Sequence, residues 1–186
     1  MGETADRLYL SLLVVRCQVG GADAFTELVT LCQPRLRAFL YKLLANRQNI
    51  DDLAQDVWLE VFRALSRLND PAAFLPWFYR IARNRAFRAL RSNRAAVGSI
   101  DEIEAMDEHE DEPEFTAADA QAVHAAMDRL IPEHREVLLL RFIEDMSYDE
   151  IARVVDCPIG TVRSRVHNAK LRLRKIIETE MSYDAR

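Results

Sequence analysis

The chain has little of what breaks helices. Its 186 residues include five Gly and six Pro, most of them between periodic segments, and no stretch sustains the two-residue alternation of a half-buried strand. That points away from sandwiches, barrels and hairpin-rich folds and towards an all-α protein with short connections. Cysteine is scarce too. Cys17, Cys32 and Cys157 show no CxxC and no Cys/His pairing at ligand spacing, so they are expected to be buried or turn thiols in a reducing cytosol. No apolar run reaches the length of a membrane span. Leu8 to Val15 is the nearest approach, but Arg16 interrupts it just before Cys17 and no small-residue cleavage site follows. The segment is expected to be a core-facing helix rather than a leader. A phosphate loop, a metal-spaced His/Cys set and a nucleophile–base pair are all missing, and His109, His124, His134 and His167 lie far apart. No catalysis, cofactor or metal is expected.

What the chain does have is segregated charge. The net charge is −5, yet Tyr79 to Arg94 carries six Arg and no acid. Thr161 to Lys175 repeats that balance with six Lys or Arg and no acid. Between them, Asp101 to Glu114 carries nine acidic residues and neither Lys nor Arg. Two basic segments separated by an acidic one suggest two nucleic-acid contacts joined by a tether. Ser92 to about Thr116 also lacks periodicity, as expected of a flexible linker.

The sharpest local pattern runs from Ser147 to Lys175. Ser147 and Glu150 have the spacing of a capping box, in which each side chain satisfies an amide at a helix start. Ile151, Val154 and Val155 give the short helix one apolar face. Asp156 and Cys157 form a break, and Pro158 suits the first position of a new helix. At the helical period Val162, Val166, Ala169, Leu173, Ile176 and Ile177 fall on one stripe, with Arg163, Ser164, His167, Asn168, Lys170 and Arg174 opposite. A short helix bracing a basic, hydrogen-bonding one is a helix-turn-helix, suited to a DNA major groove. A plain amphipathic surface helix is the competing reading; the tight turn, the capping box and the lack of acids weigh against it.

Upstream, Ala22 to Ala45 places Phe25, Leu28, Leu31, Leu36, Phe39, Leu40 and Leu43 in a broken helical pattern, with Pro34 expected to kink it or start a new helix. Asp51 to Leu68 reads as one helix with two acids in its first turn. Leu53, Ala54, Val57, Val61, Ala64, Leu65 and Leu68 share one face; Asp52, Gln55, Asp56, Leu59 and Arg63 share the other. Leu59 is thus an exposed apolar residue in an acidic patch, either an ordinary surface leucine or a protein-docking spot. After the turn Asn69-Asp70-Pro71, Ala72 to Arg94 is helical, restarting near Pro76. Arg80, Arg83, Asn84, Phe87, Arg91 and Arg94 cluster there, opposite Phe78, Ala82, Ala86 and Ala89. Aromatics beside a basic groove suit single-stranded DNA. Phe78 is expected in the core, and Trp77 and Tyr79 fit either place. Ala117 to Leu130 and Pro132 to Phe142 complete the helices.

The order DDLAQDVWLEVF, PWFYRIARNRAFRALR, an acidic linker, LIPEHREVLLLRFIEDMSYDEIA and DCPIGTVRSRVHNAK closely resembles the extracytoplasmic-function (ECF) sigma factors, promoter-specificity subunits of bacterial RNA polymerase. The resemblance covers residues 20–178. It implies two helical domains: region two over 1–94, an acidic linker over 95–118, and region four over 119–186. It implies that Asp52, Leu53, Gln55, Asp56 and Leu59 dock on the polymerase core. Asn69, Asp70, Phe74, Trp77, Arg80, Arg83 and Asn84 would melt and hold the −10 element, where a flipped base must be repaid by contacts. Thr161, Arg163, Ser164, His167 and Asn168 would read the −35 element, with Arg165, Lys170 and Arg172 nearer phosphates. It further implies a cytoplasmic protein, partnered by core polymerase, promoter DNA and an anti-sigma factor of a kind often anchored in a membrane.

The chain departs from the family in places. An acid frequent four residues after the asparagine of the RIARN motif is Arg88 here. His167 and Asn168 replace bulkier or more basic residues, and Asn can read adenine bidentately. Asp156 sits where Gly or Asn would ease a left-handed backbone. The alternative is an autonomous helix-turn-helix regulator, which would dimerise on a two-fold operator but leaves the acidic helix and the aromatic–arginine segment without a role.

Overall fold

The computed structural model describes residues 3–44, 49–94 and 120–184. All regular elements among them are helical: α1 (Glu3–Gln18), α2 (Ala22–Leu43), α3 (Ile50–Ala64), α4 (Phe74–Arg94), α5 (Ala120–Asp128), α6 (Pro132–Leu138), α7 (Tyr148–Val155) and α8 (Ile159–Asp184). They group into an N-terminal unit holding α1–α4 and a C-terminal unit holding α5, α6, Tyr148–Ala152 of α7, and α8. The acidic segment 95–118 and the expected helix start at 117 lie outside the described residues.

In the N-terminal unit α2 is the central element, touching α1, α3 and α4. It runs unbroken through Pro34, where a kink or a new start was expected. An interior proline costs about 3 kcal/mol, and here the burial of Ala24, Leu28, Cys32, Leu36, Phe39, Leu40 and Leu43 along one face offsets it. Leu31, assigned to that face from the pattern, is exposed. The expected core helix over Leu8 to Val15 is half right, since Leu10, Leu13 and Val14 are buried while Leu8, Leu12 and Val15 are exposed. Gly20 ends α1 with φ +93°. Its amide bonds Cys17 O at 3.0 Å and that of Gly21 bonds Arg16 O at 3.0 Å, the paired bonds of a Schellman cap.

The α-helix expected to reach Leu68 stops at Ala64 and tightens into a 3₁₀ turn, Leu65–Arg67. Gln18 on α1 ties down this turn: its amide donates to Leu68 O at 2.7 Å and to Leu65 O at 3.0 Å, the latter also accepting from the Leu68 amide at 3.1 Å. Asp70 then accepts from the Ala72 amide at 3.0 Å and caps a 3₁₀ turn, Pro71–Ala73. From there α4 passes through Pro76 without a restart, because in a first turn the missing N–H is one the helix leaves unused.

In the C-terminal unit α8 packs on α5 and α6. Arg135 of α6, only 2% exposed, donates to Met127 O at 2.8 Å, Asp128 O at 2.8 Å and Leu130 O at 2.9 Å. A side chain from the next helix thereby closes the end of α5. The single helix expected over 132–142 is instead α6 followed by a π-helical turn, Leu139–Ile143, whose first two carbonyls, Leu139 O and Leu140 O, accept from the Glu144 and Met146 amides at 3.0 Å. Such turns re-aim side chains within a helix.

Candidate nucleic-acid interface

The helix-turn-helix forms as the spacing predicts. Ser147 Oγ accepts from the Glu150 amide at 3.2 Å and the Glu150 carboxylate accepts from the Ser147 amide at 2.8 Å, completing the capping box. Asp156 adopts the left-handed conformation at φ 58°, and the Cys157 amide reaches back to Ala152 O at 3.3 Å. Pro158 lies just outside α8, its carbonyl accepting from Val162 at 3.1 Å. The whole apolar stripe of α8 is buried: Val162, Val166, Ala169, Leu173, Ile176 and Ile177.

That burial fixes which side of α8 is presented. Thr161 and Arg163 are exposed, and Ser164, Arg165, His167 and Asn168 are half-buried. Ser164 Oγ donates to Thr161 O at 3.1 Å. His167 buries its Nε2 with no hydrogen-bond partner, so at most the other ring nitrogen can meet DNA. Lys170 is a correction: placed on the polar face from the pattern, it is 8% exposed, with its ammonium 5.8 Å from the Phe142 ring centroid. The π-helical turn that carries Phe142 creates this cation–π seat, and no sequence period signals such a turn. Two further residues escaped the sequence reading. The guanidinium of Arg141 lies 5.6 Å from the Tyr148 ring centroid, and that of Arg163 lies 5.9 Å from the same ring.

On α3 the polar face forms as expected. Asp52, Gln55, Asp56 and Leu59 are exposed, with Leu53 half-buried at its edge. Leu59 is 51% exposed, and Phe62, three residues on, is exposed as well. Phe62 was missed, although its i+3 relation to Leu59 is the available signal. It meets Phe25 edge-on at 5.1 Å. Asp51 pairs with Arg37 of α2 at 2.9 Å.

Along α4, Arg80 and Asn84 are exposed, and Trp77 and Arg83 are half-buried. The Arg83 guanidinium sits 4.7 Å over the Phe87 ring. Asn69 and Asp70 are exposed at the preceding turn. Phe74 is a second correction. It is buried, stacked on Phe78 at 5.5 Å, and so anchors the core instead of meeting DNA. Tyr79 joins the same core, packed edge-on against Phe39 at 5.0 Å. An aromatic chain from Phe25 through Trp58 and Phe78 to Phe74 and Trp77 therefore ties α2 and α3 to the start of α4. Its two ends, Phe25 and Trp77, keep partial exposure, and Trp77 is the one on α4. The arrangement offers cations and a partly exposed ring for binding. Among the described residues no group of three or more His, Cys, Asp or Glu is placed to hold a metal ion, and no helix is long and apolar enough to cross a membrane.

Comparison with known proteins gives matches along both units. The model of Sigma-70 region 2 matches residues 28–96 and that of Sigma-70, region 4 matches residues 120–173. The chain is 31% identical over 179 residues to the RNA polymerase sigma-H factor of Pseudomonas aeruginosa, covering 89% of this chain and 92% of that protein. It is 30% identical over 178 residues to the ECF RNA polymerase sigma-E factor of Escherichia coli K12, covering 89% and 93%. Among solved structures, the sigma factor RpoE of Bartonella quintana, crystallised with the anti-sigma factor NepR, superposes with a TM-score of 0.67 at 26% identity, covering 83% of this chain and 96% of that one.

Proposed function

The chain belongs to the ECF sigma factors of the sigma-70 family, and from that premise we propose how its two units divide the work of promoter-specific initiation. It is an alternative sigma factor, a regulatory subunit that directs transcription initiation by binding. Residues 1–94 act as region two, which engages core polymerase and opens the −10 element. Residues 119–186 act as region four, which reads the −35 element, and 95–118 connects them.

The observation that carries this division is the face presented by α8. Its apolar stripe is wholly buried, so Thr161, Arg163, Ser164, Arg165, His167 and Asn168 are left for the duplex. A basic helix fits the major groove, about 12 Å wide, and Arg and Asn are the side chains suited to bidentate base contacts there. On α3, Asp52, Gln55, Asp56 and Leu59, edged by Leu53 and extended by Phe62, form an acidic surface with apolar centres, suited to a basic partner surface on the polymerase. On α4, Arg80, Arg83, Asn84 and Trp77, with Asn69 and Asp70 before them, supply cations and a stacking ring for an unpaired strand. Working on DNA with polymerase places the protein in the cytoplasm. Its likeness to a sigma factor crystallised with an anti-sigma factor supports a sequestering partner over the Asp52–Leu59 surface or over α8.

Site-specific photo-crosslinking tests the division. A crosslinker at Leu59 should capture core polymerase protein, one at Trp77 the non-template strand near −10, and one at Asn168 duplex DNA near −35. Capture of DNA from position 59, or of neither strand from 77 and 168, would overturn it.

A further inference from the structure

Tyr148 opens α7 immediately after the capping residue Ser147 and is half-buried. Its ring is flanked by two guanidinium groups, Arg141 at 5.6 Å and Arg163 at 5.9 Å from the centroid. Arg141 is held independently, donating to Met146 O at 3.2 Å and to Asp145 at 3.5 Å. The ring therefore stands beside a fixed cation on one element and beside the exposed Arg163 of α8 on another. An arginine side chain free in solvent samples many rotamers, and each contact that demands one geometry costs part of that freedom. A ring face attracts a guanidinium and lets it slide in plane, which restricts the side chain without consuming its donors.

We propose that Tyr148 is a positioning residue for promoter readout: its ring restrains Arg163 in a conformation ready for the base edge, so that −35 specificity depends on a side chain that itself reads no base. This inference rests on the reading of Arg163 as a base contact. The ring, not the phenol hydroxyl, is the operative part.

The test uses the full chain assembled with core polymerase on promoters in which each −35 base pair is permuted in turn, with binding measured for every duplex. Arg163→Ala identifies the base pair that Arg163 reads. At that base pair Tyr148→Leu should reduce discrimination about threefold to fivefold, the worth of a partly exposed cation–π contact, while Tyr148→Phe should keep it. In an Arg163→Ala background Tyr148→Leu should change nothing further. Should Tyr148→Leu lower the melting temperature, a tetrafluorinated phenylalanine at 148 weakens the ring's attraction while preserving its shape, and should give the same selective loss. Equal weakening by Tyr148→Leu on every sequence would overturn the proposal, assigning the ring a packing or phosphate role. Sharper discrimination would also overturn it, since Arg163 would then be parked on the ring rather than readied by it. If Arg163→Ala itself left discrimination unchanged, the base-reading assignment would fall first, and the proposal with it.

Discussion

Arg85 of α4 donates to Glu60 of α3 at 2.7 Å and approaches Asp56 at 3.5 Å. One of the six arginines in the basic segment is thus turned onto the acidic helix and away from solvent-borne partners. Counting charges along the sequence does not reveal this pairing. Arg80, exposed on the same helix, should meet a phosphate. Arg80→Ala should reduce the salt dependence of −10 strand binding by about one phosphate equivalent, a slope change of ~0.7 for single-stranded DNA. Arg85→Ala should leave that slope unchanged and cost about 0.5–1 kcal/mol of stability, as a partly exposed ion pair does. Titrations of the holoenzyme on a forked −10 DNA at several salt concentrations decide the matter.

Arg135 should prove a keystone of the C-terminal unit. Removing it takes the guanidinium away from three carbonyls near the end of α5, of which Met127 O keeps the Leu130 amide at 3.2 Å. Arg135→Ala should therefore destabilise the unit by about 3 kcal/mol, the range for breaking charged hydrogen bonds in a buried setting. Arg135→Lys should recover little, because one ammonium cannot reproduce the planar fork. Chemical denaturation followed by circular dichroism measures both.

Leu59→Asp should weaken binding to core polymerase at least about tenfold, as loss of an apolar anchor at an interface centre does. Its exposure means that the unfolding free energy should stay within about 0.5 kcal/mol of the parent. Phe62→Ser should act in the same direction. Fluorescence anisotropy with labelled protein supplies the binding curves.

His134 gives the C-terminal unit a pH response. Burial and then the Arg165 guanidinium hold it below its ordinary value of 6.5; Glu133 pulls it up and Arg172 pushes it down again. The folded state thus binds this proton less readily than the unfolded chain does. Its contribution is neutral above the unfolded value, and stability falls as pH drops through 6.5 towards the lower folded value. The slope from one such group is at most about 1.4 kcal/mol per pH unit. His134→Gln should remove that part of the acid sensitivity, seen by comparing unfolding free energies at neutral and mildly acidic pH.

Much of this was legible in the residues, and the exceptions have identifiable causes. The stripe of α8, the capping box, the left-handed Asp156 and the exposed Leu59 all follow from local periodicity and backbone sterics, which the sequence states directly. Pro34 misled because its cost is local while the compensating burial of α2 is tertiary. Lys170 misled because its seat on Phe142 depends on a π-helical turn that changes the phase of Phe142. Phe74 and Trp77 were indistinguishable as aromatics near a basic helix, and only the stacking on Phe78 assigns Phe74 to the core. Arg135 shares the helical phase of Leu138 and Leu139, which placed a charge in the core, but its carbonyl partners lie on the preceding helix and turn.

The most direct test of the account is in vitro transcription from a library of randomised promoters, with purified core polymerase in the presence and absence of this protein. The account predicts protein-dependent transcripts whose promoters share two motifs at fixed spacing, near −35 and −10, with the upstream motif blurred by Arg163→Ala and the downstream one retained. Duplex binding by the protein alone, as a dimer on a two-fold site and with no protein-dependent initiation, would contradict it.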